Sequence, residues 1–450
     1  MQSIEYLKKR LEQHADNQAI IYDDQVFPYK DLIARIDQWK VKLKAHDIEP
    51  GAVVAITGDY SPTAISLVIA LIFNRNIIVP LTRLAEPHFA EYFDISHTRY
   101  VIDLSEEDDY QVTKRDANPL ENDILKGLIQ GERPGLILFT SGSTGRPKGV
   151  AHDFDKLLGK FLHANKRFRT LCFLMFDHIA GIDTYFYSLF SGGTVIFPNS
   201  RDAGDVCRLI EKHKAEVLPT SPTFLNLLLL SGEYEKYDLS SLKIITFGSE
   251  RMSEPLLKRL EEVFKGVRLV QKYGVTELGS PASKSKEKDS SWIRIDSERF
   301  RTKIVDGILY IKADTAMLGY LNAPSPFTDD GWFVTGDAVE TDGDYIRILG
   351  RESEIINVGG EKVWPTEIEA IIQMMPEVED VVVTGVENPI TGQIIQATVK
   401  LNTDDDRSEF RKKMRAFCKE KLVPFQIPQK VVLTDRAFHG GRFKKMRMNF

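Results

Sequence analysis

Leu138-Phe-Thr-Ser-Gly-Ser-Thr-Gly-Arg-Pro-Lys-Gly149 continues directly from the apolar run that begins at Leu136. The stretch has the make-up of a phosphate loop. Gly142 and Gly145 let backbone amides approach phosphate oxygens, the hydroxyls of Thr140, Ser141, Ser143 and Thr144 can donate hydrogen bonds, and Lys148 adds a cation. It is not a Walker loop, which ends in Gly-Lys-Ser/Thr and opens a helix; here Pro147 precedes the lysine and Gly149 follows it. A flexible Ser/Gly linker rarely follows a buried strand or closes on Pro-Lys-Gly.

Outward from this loop, short apolar runs alternate with helix-compatible stretches. Leu32, Ile36, Trp39 and Leu43 recur at helical spacing, so 29–45 reads as an amphipathic helix. Val53-Val-Ala-Ile reads as a strand, Ser61 as the cap of a helix through Phe73, and Ile77-Ile-Val-Pro as the next strand. The alternation returns at Thr194-Val-Ile-Phe, Lys243-Ile-Ile-Thr-Phe and Val267-Arg-Leu-Val, which predicts an α/β chain with largely buried parallel strands. After Pro281 a lysine-rich stretch leads into short strands with Asp306-Gly307 and Asp342-Gly343 turns, the pattern of a small β subdomain. Beyond Gly350 come a helix from Thr366, strand-like Val381-Val-Val-Thr and a helix from Ser408. The fold class expected is α/β: a large N-terminal domain (1–350) of layered, mostly parallel sheets with helices and a small β subdomain, then a smaller mobile α+β C-terminal lid (351–450).

Bulk properties exclude several classes. With 42% hydrophobic and 28% charged residues the chain is an ordinary globular protein, and a net charge of −6 offers no global field for nucleic acid. The amino terminus is charged where a signal peptide needs an apolar core, and the apolar run at 64–73 is too short to span a bilayer. A cytoplasmic protein without stable membrane insertion is expected. Cys172, Cys207 and Cys418 lie far apart without CxxC spacing, which argues against a zinc site or a disulfide framework.

The Thr-Ser-Gly-Ser-Thr-Gly-x-Pro-Lys-Gly string resembles the signature of the AMP-forming acyl-CoA synthetases, non-ribosomal peptide adenylation domains and beetle luciferases, most closely the acyl or aryl CoA ligases. Further segments similar to that family follow in its order from about residue 15 to the end. Tyr273-Gly-Val-Thr-Glu277 matches Tyr-Gly-x-Thr-Glu; the resemblance implies that Tyr273 stacks near adenine beside Gly274, Thr276 contacts the α-phosphate region and Glu277, with Thr144, helps hold Mg²⁺. Gly248-Ser249-Glu250 resembles the segment lining the adenine and acyl pocket. Asp337, in Thr-Gly-Asp, takes the place of the aspartate that accepts the ribose hydroxyls, Arg351 that of an arginine reaching ribose or phosphate, and Ser353 a hinge slot usually filled by Asp or Lys. Gly359 and Gly360 lie in a segment that enters the site for the second half-reaction, where they would admit a pantetheine arm. His178, in Phe-Asp-His-Ile-Ala-Gly, resembles a histidine near the nascent acyl-phosphate. The family's carboxyl-terminal lysine, counted from the strand at Val431, falls on Lys444, with Arg447 restoring Lys-x-x-Arg; Arg442 and Lys445 are the other cations beside that slot.

The resemblance implies ATP, Mg²⁺ and coenzyme A as cofactors and co-substrate. A small carboxylic acid would be activated as its acyl-AMP with loss of pyrophosphate, and the acyl group passed to a thiol. Lys148, Lys444, Glu277 and His178 are the expected catalytic residues. Two alternatives stand beside CoA transfer: loading of an acyl or amino acid onto a carrier protein, and a degenerate nucleotide-binding protein. Acyl specificity is expected to lie in walls drawn from Phe186, 220–228, Gly248 and 279–282.

Overall fold

A computed structural model describes residues 2–104, 109–116, 120–141, 146–281, 283–286, 291–295, 299–443 and 445, with the side chain of Ser141 left aside. Among the described residues the strands form four sheets. The amphipathic pattern is realised as helix Tyr29–Ala45, which buries Leu32, Ile36, Trp39 and Leu43. Ser61 caps helix Pro62–Phe73 by accepting the Ala64 amide at 3.0 Å. That helix is buried over its whole surface from Pro62 to Ile72, which explains why it carries no polar stripe.

It lies between two seven-stranded sheets. One runs Gly319–Tyr320, Pro147–Asp153, Gly135–Ser141, Ile77–Leu81, Val53–Thr57, Tyr100–Leu104, Tyr110–Lys114; its centre is parallel and its edges antiparallel. The other runs Arg268–Gln271, Ile244–Phe247, Val217–Thr220, Arg169–Leu171, Thr194–Ile196, Gln18–Tyr22, Gln25–Pro28, parallel except for the last pair. The alternation expected from sequence is therefore present, divided between two sheets that share one core. Side chains from both, Ile56 and Ile78 from the first and Ile20 and Val195 from the second, meet around helices Pro62–Phe73 and Ile179–Ser191.

The turn-rich region forms a six-stranded antiparallel sheet ending in strands Phe333–Asp342 and Tyr345–Arg351. A five-stranded sheet follows, built on the long hairpin Val378–Asn388 and Gly392–Leu401 and covered by helices Pro365–Ile372 and Arg407–Lys419 around Val381, Ile395, Phe410 and Met414. The large domain of layered sheets and the smaller C-terminal α+β domain thus match the fold class expected. Among the described residues no helix is long and apolar enough to cross a membrane. Cys172, Cys207 and Cys418 are buried, free thiols.

Candidate active site

Strands Gly135–Ser141 and Pro147–Asp153 form an antiparallel hairpin in which Thr140 sits opposite Lys148. The glycine-rich stretch thus joins two strands, which is why its lysine follows a proline and does not open a helix. Gly142, Ser143, Thr144 and Gly145 lie outside the described residues, and with them the expected phosphate and Thr144 metal contacts. Asn322 clamps the exit of the loop: its Oδ1 accepts the Gly149 amide at 3.0 Å and its Nδ2 donates to the Pro147 carbonyl at 2.9 Å. Lys148 Nζ lies 5.0 Å from the centroid of the Tyr320 ring, and the Tyr320 hydroxyl donates to Glu277 at 2.6 Å. Burial and the Glu277 carboxylate both hold the Tyr320 phenol far above its ordinary range, so it remains a donor. Sequence reasoning missed Tyr320 and Asn322, because a two-residue edge strand leaves no periodic signal.

The turn carrying Tyr273, Gly274, Thr276 and Glu277 is fixed from beneath. His152 Nε2 lies 2.8 Å from the Thr276 carbonyl, so this nitrogen must carry the proton. Burial lowers the His152 pKa to about 4, and the ring is neutral at pH 7. The Met317 amide donates to the Glu277 carbonyl at 2.7 Å.

Asp337 and Arg351 are cross-strand partners in the last hairpin of the antiparallel sheet. Asp337 Oδ1 lies 3.3 Å from Arg351 Nε, and Asp337 Oδ2 accepts the Tyr273 hydroxyl at 2.7 Å. The carboxyl is 6% exposed, and its burial raises its pKa, opposed by the Arg351 guanidinium. Glu277 acts electrostatically on both Asp337 and Arg351, which places the two carboxylates in one field. A buried acceptor with a cation and a phenol beside it is suited to a polyhydroxyl group.

Gly248 follows strand Ile244–Phe247 where a Cβ would meet the Lys272 carbonyl at 2.5 Å, so only glycine allows the two chain segments to approach. Ser249 follows in the left-handed region, and Glu250 then accepts the Thr223 amide and hydroxyl at 3.3 and 2.6 Å. The other Glu250 oxygen accepts the backbone amide of Lys445. Lys445 Nζ reaches back to the Val381 carbonyl at 2.7 Å and to Asp380 at 2.9 Å. Thus the tail bridges the two domains. Its neighbour Arg442 pairs with Asp177, NH1 to Oδ1 at 2.9 Å and NH2 to Oδ2 at 2.6 Å. Lys444 lies outside the described residues.

His178 caps helix Ile179–Ser191, its Nδ1 accepting the Ala180 amide at 3.2 Å. A Cβ on Gly181 would lie 2.0 Å from the Met175 carbonyl, so the tight turn that presents His178 requires that glycine. Ser249, Glu250, Tyr273, Gly274, Asp337 and Arg351 all line one cleft of about 1030 Å³ between the domains, as does Lys445. Gly359 and Gly360 do not join them: they form an exposed turn between strands Ile356–Val358 and Glu361–Val363 with open space around both. Among the described residues no group of three or more His, Cys, Asp or Glu side chains could hold a metal ion. A donor set of one carboxylate, Glu277, fits a hard cation held chiefly by phosphate oxygens and water.

The family model for AMP-binding enzymes matches residues 7–321, and that for the AMP-binding enzyme C-terminal domain matches residues 367–439. A 2-succinylbenzoate–CoA ligase of Bacillus subtilis (strain 168) is 25% identical, over 98% of this chain and 96% of that one. The crystal structure of the anthranilate CoA ligase AuaEII in complex with anthranoyl-AMP shares the fold with a TM-score of 0.83, at 20% identity and covering 98% of this chain and 95% of that one. The o-succinylbenzoate CoA synthetase MenE from Bacillus subtilis, in complex with its acyl-adenylate intermediate, does so with a TM-score of 0.77, at 23% identity and 98% and 96% coverage. With well over half of its length matched, the chain belongs to the AMP-binding enzyme family.

Proposed function

We propose that this protein is an AMP-forming carboxylate–CoA ligase. The carboxylate of a small acid attacks the α-phosphorus of ATP; the new O–P bond forms as the bond to pyrophosphate breaks, leaving the acyl-AMP. A thiol, that of coenzyme A, then attacks the acyl carbonyl, loses its proton and expels AMP. The observation that carries this reading is the convergence of Tyr273, Asp337 and Arg351 on the interdomain cleft of a chain in this family. The similarity to CoA ligases along almost the whole length supports CoA as the acceptor.

The roles proposed combine the family resemblance with the contacts described. Asp337, with one oxygen engaged by Tyr273 and the other facing Arg351, accepts the ribose hydroxyls. Lys148 and the hydroxyl-rich loop hold the phosphates. Tyr320 orients Glu277, which would hold a magnesium ion that, when bound, neutralises phosphate charge. The tail supplies a further cation, Lys444 by family spacing, with Arg442 anchored on Asp177. Catalysis rests on positioning and charge neutralisation without a covalent enzyme intermediate. In the second half-reaction the lid, residues 351–450, turns to bring the exposed Gly359–Gly360 turn to the cleft.

The test is pyrophosphate release across a panel of aromatic, short aliphatic, fatty and amino acids, followed by CoA addition. The reading expects acid-dependent release with at least one member and an acyl-CoA product. Release without CoA consumption would point to a carrier-protein acceptor. An absence of ATP binding would sink the assignment.

A further inference from the structure

Beside the nucleotide cleft lies an apolar recess walled by Phe173, Met175, His178 and Ser221, and Ser249 borders both spaces. Phe443, from the tip of the carboxyl-terminal hairpin in which His439 bridges to Lys445, fills it. Its ring centroid lies 5.2 Å from that of Phe173 and 5.6 Å from that of Phe224, the latter edge to face, and its carbonyl accepts the Ser221 hydroxyl at 2.7 Å. A void of about 20 Å³ remains, room for one water and not for an acyl group. The ring is also held at a conformational cost: φ of Phe443 is 50°, a left-handed conformation that a bulky side chain avoids. The Arg442–Asp177 pair, with Thr82 donating its amide and hydroxyl to the same carboxylate, holds the strained residue in place.

We infer that Phe443 is an internal occupant of the acid's recess: its ring stands where the acyl group of an aromatic acid sits, and that acid displaces Phe443 while Arg442 and Lys445 stay docked on Asp177 and Glu250. This rests on the reading that the cleft activates carboxylic acids, and it names their class. A flat apolar ring suits the tilted and edge-on faces of Phe173 and Phe224. Short aliphatic acids leave most of the recess uncovered and compete poorly with Phe443. A removable occupant and a permanent wall make opposite predictions, because removing a competitor tightens binding and removing a wall loosens it.

Phe443→Gly takes away the ring and accepts the left-handed backbone; Phe443→Leu keeps bulk but not the aromatic fit. Pyrophosphate release with benzoate is expected to show a KM about tenfold lower in Phe443→Gly than in the parent protein, and an intermediate value in Phe443→Leu. With acetate the KM should move less than twofold. A higher KM for benzoate in Phe443→Gly, or an equal shift for both acids, overturns the inference. Hydrogen exchange of the parent protein with AMP reads the same point without turnover: benzoate, and not acetate, should increase exchange of the Phe443 amide, which donates to the Gly440 carbonyl at 3.0 Å. Unchanged exchange at saturating benzoate would also overturn it. Absence of pyrophosphate release with every acid, alongside benzoate-dependent exchange, would instead refute the ligase reading and leave the displacement standing.

Discussion

The nucleotide wall and the tail that faces it are built in opposite ways. Asp337 and Arg351 are brought together by the register of one hairpin, and Tyr273 needs only the turn after its strand to reach them. The tail's local support is one short hairpin, bridged between His439 and Lys445. Its contacts span 265 residues to Asp177, 222 to Ser221 and 195 to Glu250. Local hydrogen-bond ladders give the first region a geometry that survives loss of a single side chain, while each tail contact closes a long loop and depends on the others. The difference predicts that variants of the first region lose ligand affinity with the fold intact, and that variants of the second lose docking of the tail with nucleotide affinity intact.

Asp337→Asn should give the largest effect. The single acceptor left on the amide is taken by the Tyr273 hydroxyl, the NH2 faces the Arg351 Nε–H donor against donor, and the charge-assisted bonds to both ribose hydroxyls are lost. At about 2 kcal/mol for each bond to a charged group, kcat/KM for ATP should fall by roughly a thousandfold. The melting temperature should hold or rise. Burial raises the Asp337 pKa, so ionisation of this carboxyl costs folding stability as pH rises through that value, and a neutral amide avoids the cost. A large loss of stability at neutral pH would show that Asp337 belongs to the framework more than to the nucleotide.

His152 tests the rigidity of the same wall. Its pKa falls from an ordinary 6.5 to about 4 because the ring is buried. The unfolded chain therefore binds a proton that the folded chain refuses between those values. The stabilisation is complete above pH 6.5 and is lost as pH falls towards 4, by about 3 kcal/mol in total. His152→Gln, whose amide can still donate to the Thr276 carbonyl, should flatten that slope in urea unfolding measured across the window. A parent protein equally stable at pH 6.5 and pH 4.5 would contradict the burial argument.

How far the sequence could be read divides along the same line. Helix Tyr29–Ala45, the Ser61 cap and the strand at Ile77 were all legible, because periodicity and capping are local properties. Asp337 and Arg351 were legible only through the resemblance to the family's Thr-Gly-Asp and Gly-Arg segments, and the structure sets them opposite each other in one hairpin. Tyr320 and Asn322 were not, since their partners Glu277, Gly149 and Pro147 are distant in sequence. The pairing of Arg442 with Asp177 was equally hidden: both residues lie in motifs whose emphasis falls on their neighbours, Lys444 and His178. That two sheets share one alternating pattern was also beyond periodicity, which reports burial and not the identity of the neighbouring strand.

Lys444→Ala bears on the tail. Loss of a cation that neutralises charge only during adenylation should slow pyrophosphate release about a hundredfold and leave thiolysis of preformed acyl-AMP untouched. Affinity for AMP should not change, because the proposed reading assigns it to Asp337 and Tyr273. An unaltered adenylation rate would remove Lys444 from the reaction and leave Arg442 as the tail's cation. Equal losses in both half-reactions would mean that the substitution acts by unseating the tail.

Glu250→Gln gives the smallest and most discriminating effect, because this side chain belongs to both regions. One of its oxygens accepts from Thr223 and the other from the Lys445 amide. A glutamine can satisfy one side only, and with its carbonyl on Thr223 the NH2 points at the N–H of Lys445, donor against donor. Docking of the tail should weaken by about 1.4 kcal/mol, which slows adenylation about tenfold. If Glu250 serves the tail, AMP affinity stays at the parent value while adenylation slows. If it serves adenine, AMP affinity falls by the same factor as the rate, and the boundary between the two regions moves to the nucleotide side of Glu250.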